Sequence, residues 1–266
     1  MERRSMCIVT LITDYGTRDY YVGALKGVIL GIAPDVKIVD ITHDIEPHNV
    51  VHGAFVLRQV WPWYPPRTIH VVVVDPGVGS DRRIIVGQYA GRLVVAPDNG
   101  IVTFLHHDLP AEGVYSVEDR RFTLPCVSET FHGRDVMAPV VGHLAAGVAM
   151  REFGPEVDAP ELLDVEYLPR IEANVIHGSI LHVDRFGTLV TNIRREQIEA
   201  VVGRGRTPEV LVNDVLLGPI HAAFCDVRPG ESLAMIGSSG LLEIAVNQGN
   251  AVERFGHSGV ISVVVR

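Results

Sequence analysis

A chain of 266 residues with 47% apolar and 6% aromatic content can bury one large core, or a large and a smaller one. Its formal charge of -9, from 32 acidic against 23 basic residues, includes no basic run long enough to track a phosphate backbone, so no nucleic-acid partner is expected. Cys7, Cys126 and Cys225 are far apart and form no Cys-x-x-Cys pair, so neither a disulfide framework nor a zinc knuckle is expected, and a reducing, cytoplasmic setting is.

The first apolar run, Cys7 to Ile12 behind Arg3 and Arg4, is too short for a leader, and no stretch approaches a membrane span, so no membrane partner is expected. Through the first 150 residues, short runs rich in Val and Ile alternate with longer amphipathic segments, the pattern of parallel strands joined by helices. The expected strands are Ile8 to Thr13, Val36 to Ile41, Ile69 to Val74, Ile84 to Val86 and Leu93 to Ala96. The expected helices are Tyr21 to Ile32, Asn49 to Trp61 and Arg134 to Val148. Gly154 to Arg170 carries three prolines and five acidic residues without a clear period and reads as a linker. Beyond it, Ser179 to Val183, Leu189 to Ile193, Val210 to Val212, Leu242 to Val246 and Val260 to Val265 are short strands separated by turn residues. The expectation is an α/β domain over residues 1–160 with a mostly parallel sheet, and a smaller antiparallel β-barrel-like domain over 170–266. No internal repeat is present.

Asp14 and Asp75 end apolar strands, Asp98 follows another by two residues, and each runs into a glycine turn. In open α/β sheets ligands bind beyond the carboxyl ends of the strands, so the three carboxylates are expected to converge on one crevice, the alternative being that each caps its own turn. Gly77-Val-Gly79 lacks both the dinucleotide fingerprint and a Gly-Lys-Ser/Thr ending, which disfavours a nucleotide polyphosphate. His48 and His52 are four apart but lack the Glu beside the first His that a zinc hydrolase uses as base; helix-capping or solvated histidines are the alternative to a metal site, and no metal is expected. Phe131-His-Gly-Arg-Asp135 precedes an apolar helical segment and places His132 near a helix N-terminus.

Taken together, Thr13-Asp-Tyr-Gly16, Asp40-Ile-Thr-His43, Val74-Asp-Pro-Gly-Val-Gly79 with Arg82-Arg83, Pro97-Asp-Asn-Gly100, Phe131-His-Gly-Arg-Asp135, Asp184-Arg-Phe-Gly187 with Thr191-Asn-Ile193, and Gly237 to Asn247 form an ordered series over almost the whole chain. The series resembles the S-adenosyl-L-methionine hydroxide adenosyltransferase family, the water-using relatives of bacterial fluorinase and chlorinase. That resemblance implies an α/β domain followed by a β-barrel-like domain, a homotrimer with the site between subunits, S-adenosyl-L-methionine as substrate, and no separate cofactor. The water-using members carry an Asp, Arg and His set, matched by Asp75, Arg82 and His132. Halogenases hold Tyr or a similar residue at the position of Asp75, and fluorinase has a fluoride-binding Ser at the position of Gly133. Carried over by position, Asp14 takes the ribose hydroxyls, Asp184 the methionine ammonium, and Ser238 with Ser239 its carboxylate. Phe186 and the backbone around Val246 flank the adenine, Asn192 is a further substrate contact, and His48 aligns with a pocket-wall Trp. Thr188 departs from the family's usual Asn.

The expected reaction is displacement of methionine by water. The sulfonium leaves as a neutral thioether, so neither a metal nor an acid is needed on the leaving side, and the protein must aim a water in a dry, fixed pocket. Asp75 is expected to take the water's proton, Arg82 to hold Asp75, and His132 to position the water or relay the proton; an ion-paired carboxylate is a weak base, so positioning is the alternative to proton removal. The rival readings are a halogenase, a non-enzymatic nucleoside-binding module, a methyltransferase and a metal hydrolase.

Overall fold

The computed structural model describes residues 7–164, 168–202, 207–257 and 259–265 and separates into two compact units, Met1–Leu163 and Asp164–Arg266. In the first unit, β1 (Ile8–Thr13), β2 (Lys37–Thr42), β3 (Ile69–Val73), β4 (Ile84–Tyr89), β5 (Arg92–Pro97) and β6 (Ala111–Ser116) form one sheet in the order β2-β1-β3-β5-β4-β6. The pairs β1–β2, β1–β3 and β3–β5 are parallel, while β4 runs antiparallel to β5 and β6. β3 is buried at every position and sits in mid-sheet, which is why it reads as an unbroken apolar run.

Two clusters cover the two faces of this sheet. Val9, Leu11, Val71 and Val73 point to one face, where they meet Leu25 and Ile29 of α1 (Tyr21–Ile32) and Val140, Val141 and Leu144 of α4 (Ala138–Ala145). Ile12, Val72 and Val74 point to the other, against Leu57 of α2 (Val50–Val60) and Leu105 of α3 (Thr103–Asp108). This is the strict alternation that a pleat imposes on side chains. Asn49 caps α2 by accepting the His52 amide at 2.9 Å.

The expected helix Arg134 to Val148 is split: Gly133–Met137 is a π-helical turn, and α4 follows directly. The expected linker is also corrected in part. Ser116 donates to Pro155 O, Val157 to Val114 O, Glu161 to an Asp98 carboxylate oxygen and Leu163 to the Thr103 hydroxyl, so residues 155–163 are fastened to the first unit. Residues 165–167 of that stretch lie outside the described residues.

The second unit is a barrel. Among the described residues, β14 (Val260–Val265), β10 (Pro208–Val212), β11 (Val215–His221), β12 (Ser232–Ile236), β13 (Leu241–Val246), β9 (Leu189–Arg194) and β8 (Val175–Val183) follow one another around it, and pairing of β14 with β8 closes the ring. β7 (Arg170–Glu172) adds to β8 outside the ring. The pairing is antiparallel except between β11 and β12, where Ile220 and His221 run parallel to Ala234 and Met235. Ile176, Leu189, Val210, Val212, Leu242, Ile244 and Ile261 fill the interior, joined by Ile198 of α5 (Arg195–Val202) and Ala251 of α6 (Ala251–Phe255). Among the described residues, no helix is long and apolar enough to cross a membrane.

Candidate active site

The parallel register sets the first part of the site. Thr13 of β1 lies opposite Val73 of β3, so the chain leaves both strands at the same edge, and Asp14 and Asp75 emerge side by side. Helices α1 and α2 lie on opposite faces of the sheet, so this edge, between β1 and β3, is where the winding reverses direction and where α/β sheets open a crevice.

Asp75 begins a tight turn. Val78 donates to Asp75 O at 3.2 Å and Ser80 to Gly77 O at 3.0 Å, while Gly79 adopts φ +81, where a Cβ would fall 2.6 Å from Glu129 O. Only glycine fits that left-handed, crowded position. The turn carries Arg82 back onto Asp75: Nε reaches Oδ1 at 2.7 Å and Oδ2 at 2.9 Å, and a terminal guanidinium nitrogen reaches Oδ2 at 2.5 Å. Both side chains are buried, at 6% and 10% exposure, so the pair is held by geometry as well as charge.

The same guanidinium nitrogen lies 2.8 Å from Nδ1 of His132. Arginine carries donors only, so Nδ1 accepts, the ring is neutral, and its proton is on Nε2. Burial, then the Arg82 charge, holds the His132 pKa below its ordinary value, which agrees with a neutral ring. His132 is presented by the π turn, which is anchored by Asp135: its fully buried carboxylate accepts the Ser128 amide at 2.9 Å, the Ser128 hydroxyl at 2.7 Å and Arg134 Nε at 2.5 Å. Burial alone would raise the Asp135 pKa, but these donors keep it below its ordinary value. An extra residue in a helical turn is a common device for aiming a side chain at a site.

Asp14 accepts the His48 amide at 3.0 Å, and His48 itself is exposed with φ +67. Asp98 does not join the crevice. Its carboxylate is 1% exposed, bound to Arg83 and to the Glu161 amide, and it serves as a structural ion pair. His52 sits in the first turn of α2, and among the described residues no group of three or more His, Cys, Asp or Glu could hold a metal.

In the barrel, Asp184 Oδ1 accepts the amides of Phe186 and Thr188 at 2.9 and 2.8 Å; among the described residues Oδ2 has no such partner. Burial, then the Asp184 charge, raises the pKa of Glu243, whose side chain lies against Gly237 at the head of the Ser238-Ser239 turn. The Ser239 hydroxyl is buried and has no hydrogen-bond partner among the described residues. Phe186 is 78% exposed, and Gly187 O accepts the amides of Ala251 and Val252, which sets that tip beside the loop after Val246. Val246 ends β13 at the far end from the two serines, roughly 16 Å along the strand. Asn192 is 5% exposed and holds β9 to β8, with Oδ1 accepting the Ser179 amide and Nδ2 donating to its hydroxyl.

Position alone assigned no role to three further groups. Glu243 lies inside the Gly237 to Asn247 motif, but only the pairing of β13 with β9, which sets Glu243 opposite Val190, brings it near Asp184. His43 lies within 2.9 Å of the buried Thr13 hydroxyl, which in turn accepts the Tyr15 amide, and its other ring nitrogen is 3.1 Å from Asp40, so it braces the loop that carries Asp14. Tyr15 stands in the Thr13 to Gly16 motif and turns its hydroxyl toward Gly133.

Residues 9–154 match the model of the SAM hydroxide adenosyltransferase N-terminal domain, and residues 178–260 that of the C-terminal domain. The chain is 35% identical to the (R)-S-adenosyl-L-methionine hydrolase of Salinispora tropica, over 93% of each chain. It is 38% identical to the enzyme of the same name from Methanocaldococcus jannaschii, over 72% of this chain and 68% of that one. It superposes on the crystal structure of an uncharacterized conserved protein from Thermotoga maritima with a TM-score of 0.88 at 34% identity, covering 96% of this chain and 99% of the other. With both halves matched in order, the chain belongs to the SAM hydroxide adenosyltransferase family.

Proposed function

We propose that the protein hydrolyses S-adenosyl-L-methionine, with water attacking C5′ of the ribose to give adenosine and L-methionine. The observation that carries this reading is Arg82, whose guanidinium binds Asp75 through two nitrogens and a neutral His132 through one of them. The arrangement leaves one acceptor. His132 Nδ1 is occupied and Nε2 bears a proton, so the ring takes no proton from water and acts as a positioning residue for Arg82. Asp75 Oδ1 accepts from Arg82 once where Oδ2 accepts twice, so Oδ1 keeps lone-pair capacity for a water. Asp75 accepts a hydrogen bond from the water; as the C5′–O bond forms, the C5′–S electron pair returns to sulfur, and the proton passes to Asp75 and then to solvent.

A buried anion beside the nucleophile suits water and opposes a halide, which favours hydrolysis over halogenation. Asp14 is assigned to the ribose hydroxyls, Asp184 to the methionine ammonium through its open Oδ2, Ser238 and Ser239 to the carboxylate, and Phe186 with Val246 to the adenine. Asn192 acts behind these contacts as a tie between strands. The assembly proposed with this reading is a homotrimer that holds substrate between neighbouring subunits, in a cytoplasmic setting.

The test is product analysis after incubating the purified protein with S-adenosyl-L-methionine and a chelator, with and without chloride. Adenosine and methionine in equal amounts are expected in every arm. S-adenosylhomocysteine as sole product, halogenated adenosine as the main product, or loss of turnover to the chelator would each overturn the reading. Specific activity followed on dilution, beside the measured mass, reports on the assembly: turnover should fall as the trimer dissociates.

A further inference from the structure

Tyr15 is the residue after Asp14, on the loop leaving β1. Its ring is held edge-on by Phe131, with centroids 5.7 Å apart at 80°, and tilted against Tyr21 at 5.6 Å. Tyr21 is itself edge-on to Phe131 at 5.2 Å, so three aromatic rings fix one another. The hydroxyl lies over Gly133, the residue after His132, and a Cβ added to Gly133 would fall 2.5 Å from it. The phenol thus occupies the space a side chain at 133 would take.

Tyr15 also feels both carboxylates of the crevice. Burial first, then Asp14 and Asp75, push its pKa well above the ordinary value, so the phenol stays protonated and keeps an O–H to donate. Among the described residues nothing hydrogen-bonds that hydroxyl, although a half-buried phenol O–H usually finds a partner.

We propose that Tyr15 is a further catalytic residue of the nucleophile site: its hydroxyl donates a hydrogen bond to the attacking water, and position 133 is glycine because a side chain there would displace that hydroxyl. The proposal rests on the hydrolytic reading above. Of the water's two lone pairs, one accepts from Tyr15 and the other attacks C5′; one water O–H donates to Asp75 and loses its proton there, and Tyr15 keeps its own.

Tyr15→Phe, Gly133→Ala and the double variant test it, with kcat and KM for S-adenosyl-L-methionine measured beside thermal melts. Tyr15→Phe should lower kcat by about tenfold to a few hundredfold, as loss of a site donor does, with KM changed less than about threefold. Gly133→Ala should lower kcat similarly when Tyr15 is present and much less when Phe stands there, so the two losses should not add. Tyr15→Phe with more than half of wild-type kcat, or fully additive losses, overturns the role of Tyr15. If Gly133→Ala does not fold, the Tyr15→Phe result decides alone. Wild-type protein that forms no adenosine defeats the hydrolytic reading, and this role with it; wild-type turnover with an unimpaired Tyr15→Phe defeats only the latter.

Discussion

At the scale of single residues, Asp75 separates chemistry from scaffolding. Asp75→Asn keeps the size of the side chain and one acceptor oxygen for Arg82, but removes the charge and the proton acceptor. If Asp75 takes the water's proton, single-turnover hydrolysis at saturating substrate should fall by roughly a factor of 100 to 10,000. A residue that merely caps its turn would lose little on the same change, because Asn caps as well as Asp. A folded variant that keeps more than about a third of the rate would remove Asp75 from the chemistry. Asp75 was legible as a strand-end carboxylate, and its pairing with Arg82 through the family resemblance, which fixes the two residues seven positions apart in one motif. Tyr15 was not, since its significance depends on a glycine contributed by a distant helical turn. Asp98 misled for a related reason. It has the same strand-end setting as Asp14 and Asp75, and only the placement of Arg83 and the Glu161 amide shows that its carboxylate is already used.

Among the elements, those with a full apolar period read correctly. The expected strand Ile8 to Thr13 and helix Tyr21 to Ile32 coincide with β1 and α1. β6, β11 and β12 escaped because their signals are short or broken: β6 carries Gly113, β11 carries Gly218 with Pro219, and much of β11 is exposed. The π turn has no signature of its own, since it is built from the same residues as an ordinary helical start and is set by the Asp135 contacts. Packing of α1 on α4 gives an element-level prediction. A Cβ at Gly142 would lie 2.8 Å from Ile32 Cβ, closer than side-chain carbons approach. Gly142→Ala should therefore destabilise by about 1–3 kcal/mol despite alanine's better helix propensity, read as a lower denaturant midpoint at unchanged slope. Ile32→Ala should not restore it fully, because alanine keeps the offending Cβ. Unchanged or increased stability of Gly142→Ala would show that the two helices are not in such close contact.

For the molecule as a whole, buried histidines set the acid side of stability. His70 is fully buried on β3, bonded through Nδ1 to the Thr10 hydroxyl at 2.7 Å and stacked on Trp61 at 4.6 Å. Burial, then the Arg92 charge, holds its pKa at about 3. His52, His132 and His143 are also held below their ordinary value, chiefly by burial. Each such group binds a proton more readily in the unfolded chain than in the folded one. Their contribution is thus fully present above about pH 6.5 and is lost as pH falls toward the folded values. His70 alone accounts for about 1.4 kcal/mol per pH unit through that window. Denaturant melts from pH 7.5 down to 5 should show this decline well before the carboxylates begin to protonate, and a flat profile would contradict a neutral, buried His70. The barrel carries a different kind of vulnerability. Because β14 pairs with β10 on one side and β8 on the other, it acts as the last stave of a cask. Loss of that single short segment would bare two rows of unpaired peptide groups at once, and a ring opened in that way offers itself to neighbouring chains as a template for strand-by-strand polymerisation.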